Sequence, residues 1–317
     1  MPLRLTFILK LLLALALVPL FSACGVFTDM VRDNELSVPL LNSPDFLSPA
    51  KLRAGILPFQ DQVTANPETG PNLARLMTEE YEDNGNLLMV PAAEVKRYVD
   101  LMGIRSPITA EQAVQICRDL NLNLVMEGTL AHIGQSQVRS GWRRLFRWFS
   151  NQQVYVEAIL YLNAFDPSDG TIITSRAAES RIKVGRAPER GVMGEMQRYQ
   201  LTQEDIEDSL DEALEGLYMR SLEGLRVFPF KAPIISTQGD TATINFGSEV
   251  RLRRGQEFAV LSLGDQVINP IGRVYNVPGA PAALLKVQSV SEGSTTLTIV
   301  RGTVRPGDFI QSWKFND

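Results

Sequence analysis

The chain has 317 residues, of which 44% are hydrophobic and 21% are charged, a composition typical of a folded protein and not of a disordered one. The formal net charge is -5, with 31 Lys and Arg against 36 Asp and Glu, so nucleic acid is a poor candidate partner. A chain of this length accommodates about two domains.

The N-terminus has the pattern of an export signal. The segment 1-MPLRLTFILKLLLALALVPLFSACG-25 begins with the cations Arg4 and Lys10 and continues with an apolar run from Leu11 to Phe21. An apolar run of that length is typical of a cleaved signal and is too short for a membrane-spanning helix. We therefore predict that residues 1–23 are a signal peptide.

The end of this segment, 20-LFSAC-24, resembles a bacterial lipobox, with Phe21 where the usual pattern has Leu. The resemblance implies that Cys24 becomes the lipid-modified first residue of the mature protein. The alternative is an ordinary cleavage after Ala23 that leaves Cys24 a free thiol. Gly25, in place of Asp, implies a lipid-anchored protein on the periplasmic face of the outer membrane.

Residues 24–51 show no sustained hydrophobic period and are predicted to be a lipidated tether. The prolines of this segment are Pro39, Pro44 and Pro49. A flexible chain of about 27 residues has an end-to-end distance of about 30 Å, which allows the folded body to stand well off the bilayer.

Strand and helix patterns then alternate. The order is a buried strand over 53–60 broken by Pro58, an amphipathic helix over 72–85, a short strand over 87–90, and a helix over 91–103 with Pro91 in its first turn and Gly103 as its C-terminal cap. The next helix lies within 109–121, where Thr109 and Gln112 form a capping box and Cys117 falls on the apolar face. With Cys24 lipidated, Cys117 has no disulfide partner, and we predict a buried structural thiol.

Three long β runs follow, over 122–134, 153–166 and 171–184, with a turn at 166–170 between the second and the third. After a linker or loop at 185–201, residues 202–225 have the clearest helical period of the chain. We predict an α+β protein in which residues 52–225 form an α/β sandwich with a mixed sheet and the C-terminal helix 202–225.

Parts of this region resemble a known domain. The pieces 55-GILPF-59, 116-ICRDLNLNLVMEGTL-130 and 158-AILYLNAFDPSDGTIITS-175 are similar to the anticodon-binding-like domain of the TolB N-terminal region, of the curli-export lipoprotein family and of the lipoprotein activators of peptidoglycan synthases. The resemblance covers about Leu52 to Val184. It departs from the curli-export family at 90-VPAAE-94, where that family usually has Arg.

No helical period continues beyond residue 226. Short β runs separated by Gly, Pro and Asp turns predict a small closed barrel over 226–317; they are 241–246, 257–263, 282–290 and 295–300. The phrases 244-INFGSEVRLRRGQEFAV-260 and 302-GTVRPGDFI-310 resemble the SH3-like C-terminal domain of the flagellar assembly protein T family, a periplasmic ring component.

The segment 139-RSGWRRLFRWFS-150 is an amphipathic insert between two β runs. On a helix its aromatic side chains occupy one arc and its arginines the opposite side. We predict contact with the membrane or a partner; packing on the protein's own sheet is the alternative. The predicted contact residues are Trp142, Arg143, Arg144, Phe146, Arg147, Trp148 and Phe149.

Catalytic chemistry is not expected. His132 is the single histidine and has no nearby Cys, so we predict no metal site and no cofactor. Asp166 and Asp169 lie in a turn, where Asp is favoured for local hydrogen bonds. Glu127, inside a β run, is either a buried carboxylate with a raised pKa or a side chain that points to solvent.

We therefore predict a non-enzymatic outer-membrane lipoprotein that acts as a scaffold or assembly factor for an envelope or flagellar-type machine. One alternative is an oligomeric export pore of the curli-export type, and another is an activator of a peptidoglycan synthase. The predicted partners are the membrane, through lipidated Cys24, and an envelope protein, with a homo-oligomer possible and no nucleic acid.

Overall fold

The computed structural model describes residues 50–64, 66–85, 87–138, 153–186, 201–268 and 274–312. The described residues form two compact units. Within those ranges, the larger unit contains 50–133, 158–180 and 210–312, and the smaller contains 134–138, 153–157, 181–186 and 201–209.

The first part of the chain alternates strands and helices. The elements are β1 Leu52–Ile56, β2 Gln60–Asp61, α1 Thr69–Asn84, β3 Leu87–Met89, α2 Ala92–Met102, α3 Ala110–Asp119, β4 Leu124–Val138, β5 Gln153–Phe165, β6 Ile172–Arg186 and α4 Gln203–Leu225. The strand order is β3-β1-β4-β5-β6, with β2 paired to β4. Strand β1 runs parallel to both of its neighbours, with Ala54 opposite Met89 and Ile56 opposite Met126.

The second part of the chain forms a closed barrel. Its strands are β7 Lys231–Gln238, β8 Thr241–Ile244, β9 Glu257–Ile268, β10 Val274–Ser291, β11 Ser294–Gly302 and β12 Phe309–Ser312, with a 3-10 turn at Ser248–Val250. The order around the barrel is β10-β11-β8-β7-β12-β9, and all neighbouring pairs are antiparallel. The predicted fold class, a mixed sheet with helices followed by a small β-barrel, is confirmed.

Local sequence signals set several helix ends. Thr109 Oγ1 accepts a hydrogen bond from the Gln112 N–H at 3.2 Å, and Gln112 Oε1 accepts one from the Thr109 N–H at 2.9 Å, so the predicted capping box is present. Gly103 ends α2 in the left-handed region, with φ of 65°. A residue with a Cβ would be strained there, which explains why the helix stops at this glycine.

Alternation along the strands directs side chains to two apolar clusters. In β4, Leu124 and Met126 belong to a cluster that includes Met77 of α1 and residues of α4. The intervening Val125 belongs to a second cluster with residues of α2 and α3. Because successive side chains of a strand point to opposite faces, both faces of this strand are covered.

The first of these clusters also contains the barrel core. The Phe230 ring contacts Phe246 and Phe258, with ring centroids 5.4 and 5.9 Å apart, and all three side chains are buried. Burial of three aromatic side chains supplies a large part of the apolar area that a small barrel needs. The independent folding of residues 226–317 stays a prediction.

Strand β10 is longer than the sequence pattern indicates. Its predicted run began at residue 282, whereas the strand begins at Val274 and includes Pro278 and Pro281. The pairing of β10 with β9 shifts register on both sides of each of these prolines. Because the register shifts at these positions, the hydrogen bonds between β9 and β10 do not require an N–H from Pro278 or Pro281. Strand β10 can therefore include two prolines. Strands β7 and β12 were not among the predicted runs.

In the smaller unit, Glu157 of β5 has partners on both neighbouring strands. Ser136 Oγ donates a hydrogen bond to Glu157 Oε1 at 2.6 Å, and Arg181 Nε lies 3.0 Å from the same oxygen. The Arg181 guanidinium also lies 4.5 Å from the centroid of the Tyr155 ring. These contacts join β4, β5 and β6 side by side in this unit.

Candidate functional site

The site residues predicted from sequence are not tested by the structure. Cys24 lies outside the described residues, and so does the whole insert 139–150. The same applies to each predicted contact residue of the insert, namely Trp142, Arg143, Arg144, Phe146, Arg147, Trp148 and Phe149. The other candidate residues, the carboxylates, the histidine and Cys117, lie within the described residues, and their contacts are as follows.

Glu127 is a buried carboxylate with a structural hydrogen bond. Its side chain is only 5% exposed, so the alternative that it points to solvent is wrong. Glu127 Oε1 accepts a hydrogen bond from the Ile108 N–H at 3.0 Å. Ile108 lies in the segment between α2 and α3 and is itself buried, so its N–H requires a partner within the protein. Glu127 therefore fixes this connection against β4.

Asp166 and Asp169 form the turn between β5 and β6, as predicted. Asp166 Oδ1 accepts from the Ser168 N–H, and Asp169 Oδ1 accepts from the Thr171 N–H, each at 2.9 Å. Hydrogen bonds of this kind to a backbone N–H two residues ahead are the usual reason for Asp in a turn. The predicted local role of the two carboxylates is confirmed.

Asp166 has a second role that the sequence did not reveal. Lys231 Nζ, at the start of β7, donates to Asp166 Oδ2 at 2.5 Å, and the two side chains are only 17% and 10% exposed. The ion pair links the sheet turn to the first strand of the barrel. The two residues are 65 positions apart, so no local pattern predicts their contact.

Asn123 and Asn121 complete this polar junction of sheet and barrel. Asn123 Oδ1 accepts from the Arg53 N–H at 2.7 Å, while its Nδ2 donates to the backbone oxygen of Lys231. Asn121 Nδ2 donates to the backbone oxygen of Asn245. The side-chain amides just before β4 thus bind backbone groups of β1 and of the barrel, which fixes the position of the barrel against the end of the sheet.

Cys117 and His132 do not form a reactive pair. The Cys117 side chain is buried, as predicted, and burial raises the pKa of the thiol, with a smaller contribution from the charge of Asp166. A thiol with a raised pKa is a poor nucleophile at neutral pH. His132 is exposed on β4. In the ranges that the structure describes, no group of three His, Cys, Asp or Glu side chains is arranged to hold a metal ion.

The C-terminal end of α2 exposes two apolar side chains. Leu101 is 75% exposed and the adjacent Met102 is 48% exposed. Leu101 borders a shallow open depression that is also lined by Lys96, Arg97 and Asp100. None of the helices in the described ranges is long and apolar enough to cross a membrane.

No protein-family model matches the chain, and neither does any curated protein. Distant structural similarity exists to several solved bacterial proteins, one of which is described as a lipoprotein. Lipoprotein GNA1162 from Neisseria meningitidis matches with a TM-score of 0.32 and 10% identity, over 42% of this chain and 83% of that protein. The PelC dodecamer from Paraburkholderia phytofirmans matches with a TM-score of 0.30 and 12% identity, over 59% and 94%.

The C-terminal domain of LpoB from Escherichia coli matches with a TM-score of 0.27 and 13% identity, over 46% of this chain and 90% of that domain. Each of these TM-scores is below 0.5 and each identity is below 25%. The similarities therefore carry no argument about the function of this chain.

Proposed function

We propose that this protein is a non-enzymatic scaffold of the bacterial envelope, anchored by lipidated Cys24 to the periplasmic face of the outer membrane. The observation that carries the proposal is the sequence at the N-terminus, where an apolar run ends in 20-LFSAC-24. Gly25 after the cysteine supports the outer membrane as the destination.

The contacts of the candidate reactive groups support a structural role for the described domains. Glu127 binds a buried backbone amide, Asp166 binds Lys231, and Cys117 is buried with a raised pKa. Each of these groups stabilises a connection or lies within the core. Their arrangement fits packed domains that present surfaces to a partner more closely than it fits a catalytic site.

The anchoring proposal is tested by Cys24→Ala. The variant is exported behind a secretory signal with an ordinary small-residue cleavage site, so that an uncleaved signal cannot act as the anchor. Because acyl chains contribute about 0.8 kcal/mol per buried CH₂, we expect the variant to fractionate as soluble protein. Membrane retention equal to that of the wild type, with no labelling of the wild type by a fatty-acid probe, would contradict lipidation.

The insert 139–150 is proposed to be a second attachment point, to the membrane or to a protein partner. Its aromatic and cationic residues suit the headgroup region of a bilayer or the groove of a partner. The test changes Trp142, Phe146, Trp148 and Phe149 to Ser in the unlipidated form. Lost liposome binding with unchanged thermal stability supports membrane contact, whereas lost stability means that these aromatics pack within the protein.

The partner is identified by crosslinking in intact cells followed by affinity purification. Recovery of one envelope protein, such as a component of a flagellar or secretory ring, supports the scaffold. Recovery of a peptidoglycan synthase favours the activator, and a crosslinked ladder of this chain alone favours the oligomeric pore. A protein that crosslinks to nothing under conditions that label a known envelope complex would contradict the scaffold proposal.

The domain organisation is also proposed, with an α/β sandwich over 52–225 and a barrel over 226–317. We expect a fragment from Leu225 to Asp317 to unfold cooperatively and to give little helical signal. Far-ultraviolet circular dichroism during urea unfolding measures both. A fragment that is disordered until residues 52–225 are added would show that the boundary is wrong.

A further inference from the structure

Four cationic residues gather where the chain enters the described fold. They are Lys51, just before β1, and Arg251, Arg253 and Arg254, between β8 and β9 of the barrel. The Lys51 N–H donates to the backbone oxygen of Val250 at 2.9 Å, which brings the two segments together. We call these four residues the basic patch.

The backbone of the barrel directs the three arginines outward. In the turn between β8 and β9, Val250 and Leu252 are buried, whereas Arg251, Arg253 and Arg254 are exposed. Arg251 ends the 3-10 turn in the left-handed region, with φ of 61° and ψ of 26°.

The positive charge of the patch is not neutralised within the described part of the chain. None of the four side chains has an ion pair there. Partial burial lowers the pKa of Lys51, and the nearby charge of Arg251 lowers it further by a smaller amount. The neighbouring Glu249 carboxylate instead accepts hydrogen bonds from the N–H groups of Gly247 and Gly293, at 2.8 and 3.3 Å.

The position of the basic patch next to the proposed tether indicates that the patch faces a bilayer. Ala50 is 3% exposed and Lys51 is hydrogen-bonded to the barrel, so the first described residues of the chain lie beside the patch. Residues 25–49 of the proposed tether separate Cys24 from Ala50, and a tether of 25 residues that behaves as a flexible chain spans about 30 Å. A lipid at Cys24 therefore holds this face of the barrel at high local concentration near a bilayer.

We propose that the basic patch binds anionic phospholipid headgroups and so orients the barrel against the membrane that holds the lipid anchor. The proposal rests on the anchoring proposed above. A lipid anchor by itself leaves the body free to rotate about the tether. Attraction between the patch and the bilayer surface selects one orientation of the barrel.

The test measures vesicle binding of the Cys24→Ala chain, so that no covalently attached acyl chain contributes to the binding. Sedimentation is compared for phosphatidylcholine vesicles and for vesicles with 30% phosphatidylglycerol. The patch variant carries Arg251→Gln, Arg253→Gln and Arg254→Gln. Since a basic residue near an anionic bilayer strengthens binding about fivefold, we expect the partition coefficient to fall on the order of 100-fold.

Two matched variants serve as controls. The first removes the same charge elsewhere on the surface, with Arg97→Gln, Arg301→Gln and Arg305→Gln, and should lower binding less than tenfold. The second replaces the three patch arginines by Lys and should keep most of the binding, because the charges remain. Circular dichroism melting establishes that each variant is folded. Repeating the series with residues 142–149 of the insert changed to Ser separates the patch from the insert.

The proposal is overturned if the starting chain does not bind anionic vesicles, if the patch and surface variants lose binding equally, or if the Lys variant binds as poorly as the Gln variant. Binding to soluble polyphosphate without binding to vesicles would also overturn it, since the anionic partner would then not be a lipid. Failure of the anchoring proposal is a separate result, because it is read from the fractionation of Cys24→Ala in cells.

Discussion

Replacing Lys231 by Met is the sharpest test of the junction between sheet and barrel. Methionine keeps an unbranched apolar side chain of similar length and removes the ammonium group, with its charge and its hydrogen-bond donors. The Asp166 carboxylate would keep its hydrogen bonds from Ser168 but would lose its cation. We therefore expect the free energy of unfolding to decrease.

The size of the decrease follows from the geometry of the pair. Opposite charges 2.5 Å apart attract by about 7 kcal/mol at an effective dielectric constant of about 20. Because the side chains are only 17% and 10% exposed, desolvation offsets most of that attraction. The loss expected for a hydrogen bond between charged groups is about 1.5–3 kcal/mol.

Lys286→Met is the matched control. Lys286 lies 3.7 Å from Glu257, and both side chains are about half exposed, so its removal should cost less than about 0.5 kcal/mol. Urea unfolding followed by circular dichroism measures both variants. A double-mutant cycle with Asp166→Asn should give a coupling energy above about 1 kcal/mol. Equal costs for the two lysine variants would refute the reasoning.

Two further predictions concern α4 and its neighbour α1. Gly216→Ala should raise the melting temperature, because Ala favours a helix interior by up to about 1 kcal/mol and the new Cβ would lie 3.5 Å from Ala178. Gly224→Ala should lower the free energy of unfolding by about 1–3 kcal/mol, since its Cβ would lie 2.5 Å from Thr174 Oγ1. The opposite order of stability for the two variants would contradict both contacts. Burial raises the pKa of the Glu80 carboxyl, and the charge of Glu215 raises it further. The folded state therefore binds the carboxyl proton more tightly than the unfolded state does. The protein loses stability as the pH rises above about 4.5, where this proton dissociates. Glu80→Gln should therefore stabilise the protein by up to about 0.5 kcal/mol at pH 7 and should have no effect at pH 3. Urea unfolding at the two pH values measures this difference. An equal effect at pH 7 and at pH 3 would exclude the charge of Glu80 as the cause of the stabilisation.

The local sequence determined the elements of the first part of the chain. The Thr109–Gln112 capping box, the glycine at 103 and the periodic stripe of 202–225 each predicted a helix or its end, and each is present. These features depend on residues within one or two helical turns of one another. Alternating side chains likewise predicted β4, β5 and β6, because the period of two is a property of the strand itself.

Only the tertiary structure decided which distant residues meet. Lys231 pairs with Asp166 across 65 positions, and Asn123 binds the backbone of Lys231 across 108. Strand β12 completes the barrel by pairing with β7 and β9, which no repeating pattern along the chain indicates. Lys51 and Arg251 are likewise distant in sequence, and they become neighbours because a backbone hydrogen bond joins Lys51 to Val250. Such contacts depend on the path of the whole chain, so the basic patch and the junction were found only when the strands and helices had been placed in three dimensions.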